Sequence, residues 1–301
     1  MSSTSATKTV VYLVRQTAGG MQNHLLALVS NFKNKYKIAV IAPPNPQLKQ
    51  RLAALGVPFY EIPLADNLKP LQDLVSIYQL RKLLKQLRPD ILHIHGNKAA
   101  LVGRLALLGK KAPPTVVTVH NFLIFQQAFF PLKQMTAAVE RFLMRKTTQL
   151  ITVSEQLKVA LIKDEQLPGE KIKVIHNGID LNNWQTFNRW ELRQKLGLER
   201  ETFVILAVGR LVAWKGHSFL INALNSPPLK AEKNIKLLIA GDGPLKKQLT
   251  QLVAEQGLSA KITFLGYVTN VPELMAAADL FVLPSVNEPF GLVLLEAMAA
   301  K

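Results

Sequence analysis

The chain of 301 residues contains no cysteine. That excludes disulfides, thiolate metal sites and cysteine nucleophiles, and it fits a reducing, cytoplasmic compartment. Long apolar runs are missing too, and none approaches the length of a membrane span. The first residues, MSSTSATK, carry no apolar signal-peptide core, so no secretory signal is expected there. Acidic residues are scarce, with 20 Asp/Glu against 37 Lys/Arg. The imbalance is concentrated: residues 1–180 hold 24 Lys/Arg and 10 Asp/Glu, whereas residues 181–301 hold 13 and 10. A basic half points to nucleic acid, to an anionic membrane surface or to a polyanionic substrate, unless it is plain solubility surface. The aromatic interleaving of RNA-stacking platforms is absent, so nucleic acid is not the expected partner.

What the chain does have is alternation. Apolar β-rich runs at residues 10–14, 38–41, 59–62, 90–95, 115–119 and 150–155 are separated by segments of helical period. A fresh run at residues 203–208 starts the pattern again, and 235–240 and 262–268 follow. Such alternation predicts α/β domains, each a parallel sheet with helices on both faces. The expected division is residues 1–180 and 181–301. In the helix expected over residues 71–87, spacing turns Leu74, Ile77, Tyr78 and Leu84 inward and Arg81, Lys82, Lys85 and Arg88 outward. Residues 280–283 read as a short buried parallel strand that Pro284 stops.

Candidate chemistry gathers where strands give way to loops. Gly19-Gly20 sits between the first strand and first helix, where backbone amides can approach a ligand. It is neither a dinucleotide fingerprint nor a Walker A loop, and alone it is ordinary turn chemistry. His93 and His95 share one side of a strand and could form a metal pair, but the sequence suggests no third ligand. His95 and His120 both close strands at the carboxyl edge, where open α/β sheets bind ligands. In the second half, Arg210 and Lys215 frame a loop after a strand, and two fixed cations there suit phosphate oxygens. Glu288 lies in a loop and Glu296 over a turn into the next helix. Between them Phe290, Gly291 and Leu292 offer helix-start amides to an anion. Taken alone, the two carboxylates are a solvated loop Glu and an exposed helix Glu. Residues 121–131 form a dense apolar, aromatic patch, read either as buried or as an acceptor pocket or lipid-facing edge beside Lys133, Arg141, Arg145 and Lys146.

The string from Glu288 to Ala299, EPFGLVLLEAMA, closely resembles the E-x7-E signature of retaining glycosyltransferases of family 4. Other landmarks of that family recur in order: the first-loop Gly-Gly, V-V-T-V-H-N ending around His120, I-T-V-S at 151–154, V-I-H-N-G-I-D at 174–180, G-R-L-V-A-W-K-G at 209–216, G-D-G-P at 241–244 and F-L-G-Y-V at 264–268. The resemblance implies GT-B architecture, with two Rossmann-like domains facing across a cleft. The N-terminal one serves the acceptor and the C-terminal one the nucleotide-sugar donor. It implies that His120 and Glu288 contact the donor sugar near the reacting centre. Gly19, Gly20, Arg210, Lys215, Phe290, Gly291 and Leu292 would hold the diphosphate, and Glu296 the ribose. No cofactor and no obligatory metal are expected, and no D-x-D pair occurs in the sequence to hold one. The implied acceptor is a glycan or lipid-linked sugar, and the basic half makes the cytoplasmic protein a candidate for peripheral attachment to anionic membrane. A nucleotide-sugar 2-epimerase of the same architecture is the nearest alternative, and a non-catalytic membrane-binding protein the next. Family members continue past the E-x7-E helix, so the second domain is expected to be incomplete, with Leu292, Leu294, Leu295 and Met298 short of cover.

Overall fold

The structure is a computed structural model that describes residues 7–15, 19–65, 67–109, 111–121, 130–181, 184 and 187–300. The chain divides into two compact units, Met1–Asn177 and Gly178–Lys301. The aromatic stretch 122–129 lies outside the described residues.

Unit 1 runs β1 (Thr9–Val14), α1 (Gly20–Phe32), β2 (Lys37–Ala42), α2 (Pro46–Ala54), β3 (Phe59–Glu61), α3 (Pro70–Leu87), β4 (Ile91–His95), α4 (Asn97–Ala106), β5 (Thr115–Val119), α5 (Phe130–Leu143), β6 (Gln149–Thr152), α6 (Glu155–Glu165) and β7 (Ile172–Val174). Local chemistry sets the boundaries. Asn45 caps α2 by accepting from Leu48 N at 3.0 Å with Pro46 in the first turn, and Ser154 caps α6 by accepting from Leu157 N. Arg88 closes α3 in the left-handed region at φ 44° just before Pro89. The seven strands pair in parallel in the order β3-β2-β1-β4-β5-β6-β7. β1 to β3 therefore advances in one direction and β4 to β7 in the other. Right-handed crossovers then put α1 and α2 on one face and α3 to α6 on the opposite one. The strands are apolar on both sides because both faces are covered: Val10, Tyr12 and Val14 pack on α1 and α2 with Leu25, Val29, Leu48 and Leu52. Each such fully buried aliphatic side chain contributes roughly 1.5–3 kcal/mol.

Unit 2 runs α7 (Arg189–Lys195), β8 (Phe203–Val208), α8 (His217–Leu224), α9 (Pro227–Ala231), β9 (Ile235–Ala240), α10 (Lys246–Glu255), β10 (Ile262–Gly266), α11 (Val271–Ala277), β11 (Leu280–Phe281) and α12 (Leu292–Ala300). Its sheet, also parallel, has the order β10-β9-β8-β11. Arg193 ties α7 to this sheet from a buried position. It donates to the carbonyls of Ala277, Arg200 and Thr202 and pairs with Asp279, which also accepts from Val204 N at 2.7 Å.

Two expectations need correction. In α3 the buried face is Ser76, Leu80 and Leu84, whereas Leu74 and Tyr78 point to solvent at 63% and 71% exposure. Ser76 is drawn in by its hydrogen bonds to the carbonyls of Pro63 and Gln72, and Asp73 by an ion pair with the buried Lys98. That rotates Leu71, Leu74, Val75 and Tyr78 outward. The strand expected over 280–283 pairs only at Leu280 and Phe281 and is the edge of its sheet, which leaves Leu280 exposed. On α12, Leu294 and Met298 are exposed as well.

Candidate functional site

Open parallel sheets bind ligands outside the carboxyl ends of the strands where the winding direction reverses. In unit 1 that point lies between β1 and β4, and in unit 2 between β8 and β11. The residues singled out in the sequence fall at these two places.

At the unit 2 switch, the loop 209–216 leaves β8 and the loop 282–291 leaves β11. Lys215 and Glu288 are brought together as an ion pair, both about four-fifths buried. Ser285 donates to the same Glu288 oxygen at 3.0 Å. Val286 N donates to Trp214 O at 2.9 Å between the two loops, and loop 209–216 is tied to the end of β9 and its turn by Gly209 N to Ala240 O and Leu211 N to Asp242 O. Glycine is needed at both contacts. Gly216 sits at φ 67° with the position of a β-carbon only 2.0 Å from Pro284 O, and at Gly241 that distance to Gly209 O is 1.9 Å. Arg210 stands exposed in the same loop, and His217 is buried at the start of α8 with its pKa lowered, chiefly by that burial. Gly291, at φ 72°, precedes α12, so the amides around Phe290, Gly291 and Leu292 lie at a helix start. Glu296 is half-buried in α12 with no ion-pair partner among the described residues, and burial raises its pKa. A shallow depression lined by Asp242, Gly243, Pro244, Lys246 and Lys247 opens beside the neighbouring turn. Chemically, this corner offers cations and amides to an anion, and a carboxylate to hydroxyl groups. Ser285 was not anticipated; its only trace in the sequence is its position three residues before Glu288.

At the unit 1 switch, Gly19 and Gly20 open α1, with Gly19 at φ 58°. Four imidazoles crowd the carboxyl edge. His95 Nδ1 and His120 Nε2 share a hydrogen bond of 3.0 Å, and His93 Nε2 meets Thr118 Oγ1 at 2.8 Å. The His93 and His95 rings lie 4.2 Å apart, and His24 reaches in from α1 to within 5.2 Å of the His120 ring. Burial pushes His120 down to about 3 and His93 to about 4; it also holds His24 low and His95 well below the usual range. Neighbouring imidazoles add to the effect at His93, His95 and His120. All four rings are therefore neutral at pH 7, able to donate from one nitrogen and accept at the other. The third partner absent from the sequence reading is His24, one helical turn beyond Gly20 on α1. Periodicity hid it, because the apolar residues Met21, Leu25 and Val29 define the helix without it.

The chain is similar to known proteins in sequence and in fold. Residues 18–183 match the family described as Glycosyltransferase Family 4, and residues 188–301 match Glycosyl transferases group 1. The UDP-Gal:alpha-D-GlcNAc-diphosphoundecaprenol alpha-1,3-galactosyltransferase of Escherichia coli is 33% identical over 80% of this chain and 63% of its own length. The putative glycosyltransferase EpsD of Bacillus subtilis is 29% identical over 80% of this chain and 65% of its own. The chain thus spans less than two thirds of either relative. Among solved structures, Anabaena HepE in complex with UDP and glucose superposes with a TM-score of 0.83 at 26% identity, covering 97% of this chain and 78% of HepE. The two parallel sheets are accordingly those of the GT-B fold, and with more than half of its length matching one profile, the chain belongs to glycosyltransferase family 4.

Proposed function

We propose that the protein transfers a sugar from a nucleotide-sugar donor to an acceptor hydroxyl with retention of anomeric configuration, in the synthesis of a glycan, polysaccharide or glycolipid. The observation that carries the reading is the Lys215–Glu288 pair at the β8/β11 switch, with Arg210 in the same loop. In the proposed step the bond from the anomeric carbon to the diphosphate oxygen breaks, and its electron pair leaves with the nucleoside diphosphate. The acceptor oxygen bonds to the same face of that carbon, and its proton passes to the departing diphosphate. Arg210, Lys215 and the amides at Phe290, Gly291 and Leu292 stabilise the charge that develops on the leaving group. That assignment leaves no task for an obligatory divalent metal. Glu288 accepts from sugar hydroxyls, Glu296 from the ribose, and neutral His120 hydrogen-bonds the donor sugar, with Gly19 and Gly20 on the donor-facing loop. A uridine diphosphate donor is the first to test, because HepE was solved with UDP and UDP-glucose and the E. coli relative is named for UDP-Gal.

The acceptor in this reading is a glycan or lipid-linked sugar, reached from an anionic membrane surface. Support comes from α3, whose outward stripe of Leu71, Leu74, Val75 and Tyr78 runs on into Arg81, Lys82 and Lys85. On the same face of the sheet, α5 exposes Met135, Val139 and Phe142, with the Arg145 guanidinium 5.5 Å from the Phe142 ring centre. Apolar side chains bordered by cations suit an anionic bilayer interface. No helix among the described residues is long and apolar enough to cross a membrane.

The test is a thermal-shift panel of UDP-, GDP- and ADP-sugars, followed by turnover with the donor that binds. Glu288→Gln is expected to abolish transfer with the fold intact. Undiminished transfer would remove Glu288 from its role, and release of an epimerised sugar without acceptor would favour the epimerase.

A further inference from the structure

We propose that His24, His95 and His120 form a binding site for a divalent transition-metal ion of the zinc type. The three side chains come from α1, the end of β4 and the residue after β5, and no carboxylate among the described residues joins the group. One ring nitrogen from each lies within 4.8 Å of the others. The His95 and His120 nitrogens are already at 3.0 Å. Three imidazoles on one tetrahedral ion, with metal–nitrogen bonds of about 2.0–2.1 Å, stand roughly 3.3 Å apart. The cluster thus has to contract at one corner by an ångström or so. His24, on the surface of α1 and only partly buried, is the ring placed to move.

His95 is 1% exposed, so packing fixes its ring, and it is Nδ1 of that ring that meets His120 in the cluster. His93 is nearby but its Nε2 is taken by Thr118. That separates three ligands from one bystander.

The donor set decides the ion. Three neutral imidazoles suit Zn²⁺, Co²⁺, Ni²⁺ or Cu²⁺, whereas Mg²⁺ and Ca²⁺ require oxygen ligands. Three protein ligands also leave a fourth position open to water or to another small ligand. An ion held there occupies His120. If His120 serves the donor sugar as proposed above, the ion inhibits transfer, and this consequence alone rests on that reading.

The experiment is titration of the untagged, metal-stripped chain with Co²⁺ and Zn²⁺, followed by visible absorption and calorimetry, with Mg²⁺ as the control. One equivalent is expected to bind per chain, with Co²⁺ absorption typical of four or five ligands including nitrogen. His24→Ala and His120→Ala should each weaken binding more than about tenfold, while His93→Gln should bind as the wild type does. His24 is partly exposed, so its variant keeps the fold, checked by circular dichroism, even where a change at His95 does not. Absence of a one-to-one complex, or affinity unchanged in His24→Ala, overturns the site. If Zn²⁺ binds as described and transfer continues at full rate, the site stands and the proposed role of His120 falls.

Discussion

Replacing Glu288 by Gln should move ligand binding and turnover in opposite directions. In the free chain the Lys215 ammonium is committed to the Glu288 carboxylate, so a diphosphate must compete for it. Two unit charges 4 Å apart interact by about 4 kcal/mol at an effective dielectric constant of 20. Lys215 and Glu288 keep 19% and 22% side-chain exposure, so solvent and side-chain freedom reduce the net coupling to about 1 kcal/mol. Removing the competing carboxylate should therefore tighten UDP binding about fivefold. Lys215→Met should weaken it by about 1.5–3 kcal/mol, the range for a hydrogen bond to a charged group. In turnover both variants lose activity, with Lys215→Met down on the order of 10²–10³ in kcat through lost charge stabilisation. Calorimetry with UDP needs no acceptor and reads the first two numbers directly. Weaker UDP binding in Glu288→Gln, or no change in Lys215→Met, would refute the competition and with it the assignment of Lys215 to the diphosphate.

Further outcomes follow from the packing. Gly216→Ala places a methyl group on Pro284 O and an alanine in the left-handed region, and should cost about 3 kcal/mol by denaturant unfolding with loss of UDP binding; a loss under about 0.5 kcal/mol contradicts the contact. Arg193→Met leaves three carbonyls without their donor, while Asp279 keeps Arg189 and the Val204 amide, and should cost about 2–3 kcal/mol; a neutral result contradicts the tie between α7 and the sheet. Because burial raises the pKa of Glu296, the folded state holds its proton more tightly than the unfolded one, and the carboxylate penalises stability as pH rises from 4.5 through the raised value. Glu296→Gln should accordingly be the more stable protein at pH 7, lose that advantage below pH 4.5 and bind UDP less well; a gain that grows toward acid pH would reverse the sign. Leu71→Ser/Leu74→Ser removes two exposed side chains worth about 1.5 kcal/mol each at an interface and should abolish flotation with anionic vesicles; equal flotation at every salt concentration argues against α3 as the contact.

Most of the architecture was legible, because both sheets consist of parallel strands buried on two faces and punctuated by caps and turns. The error in α3 shows where such reading fails. Its sequence carries apolar residues on opposing faces, Leu71, Leu74 and Tyr78 against Ile77, Leu80 and Leu84, and spacing alone cannot choose between them. Ser76 and Asp73 chose, through partners 13 and 25 residues away. At the site, the family string located Glu288 and Lys215 separately. Only the neighbouring position of β8 and β11 in the sheet shows that they meet, since they are 73 residues apart in the chain. His24 escaped for the same reason: its cluster is assembled by the order of β1, β4 and β5, and no local pattern records it.

The measurement closest to the central claim is a crystal structure of the chain soaked with a UDP-sugar. The account predicts diphosphate oxygens within hydrogen-bonding distance of Lys215 Nζ and the Arg210 guanidinium, with Glu288 released from Lys215 and turned to the sugar hydroxyls. A nucleotide seated away from the loops 209–216 and 284–292, with Lys215 still paired to Glu288, would contradict it.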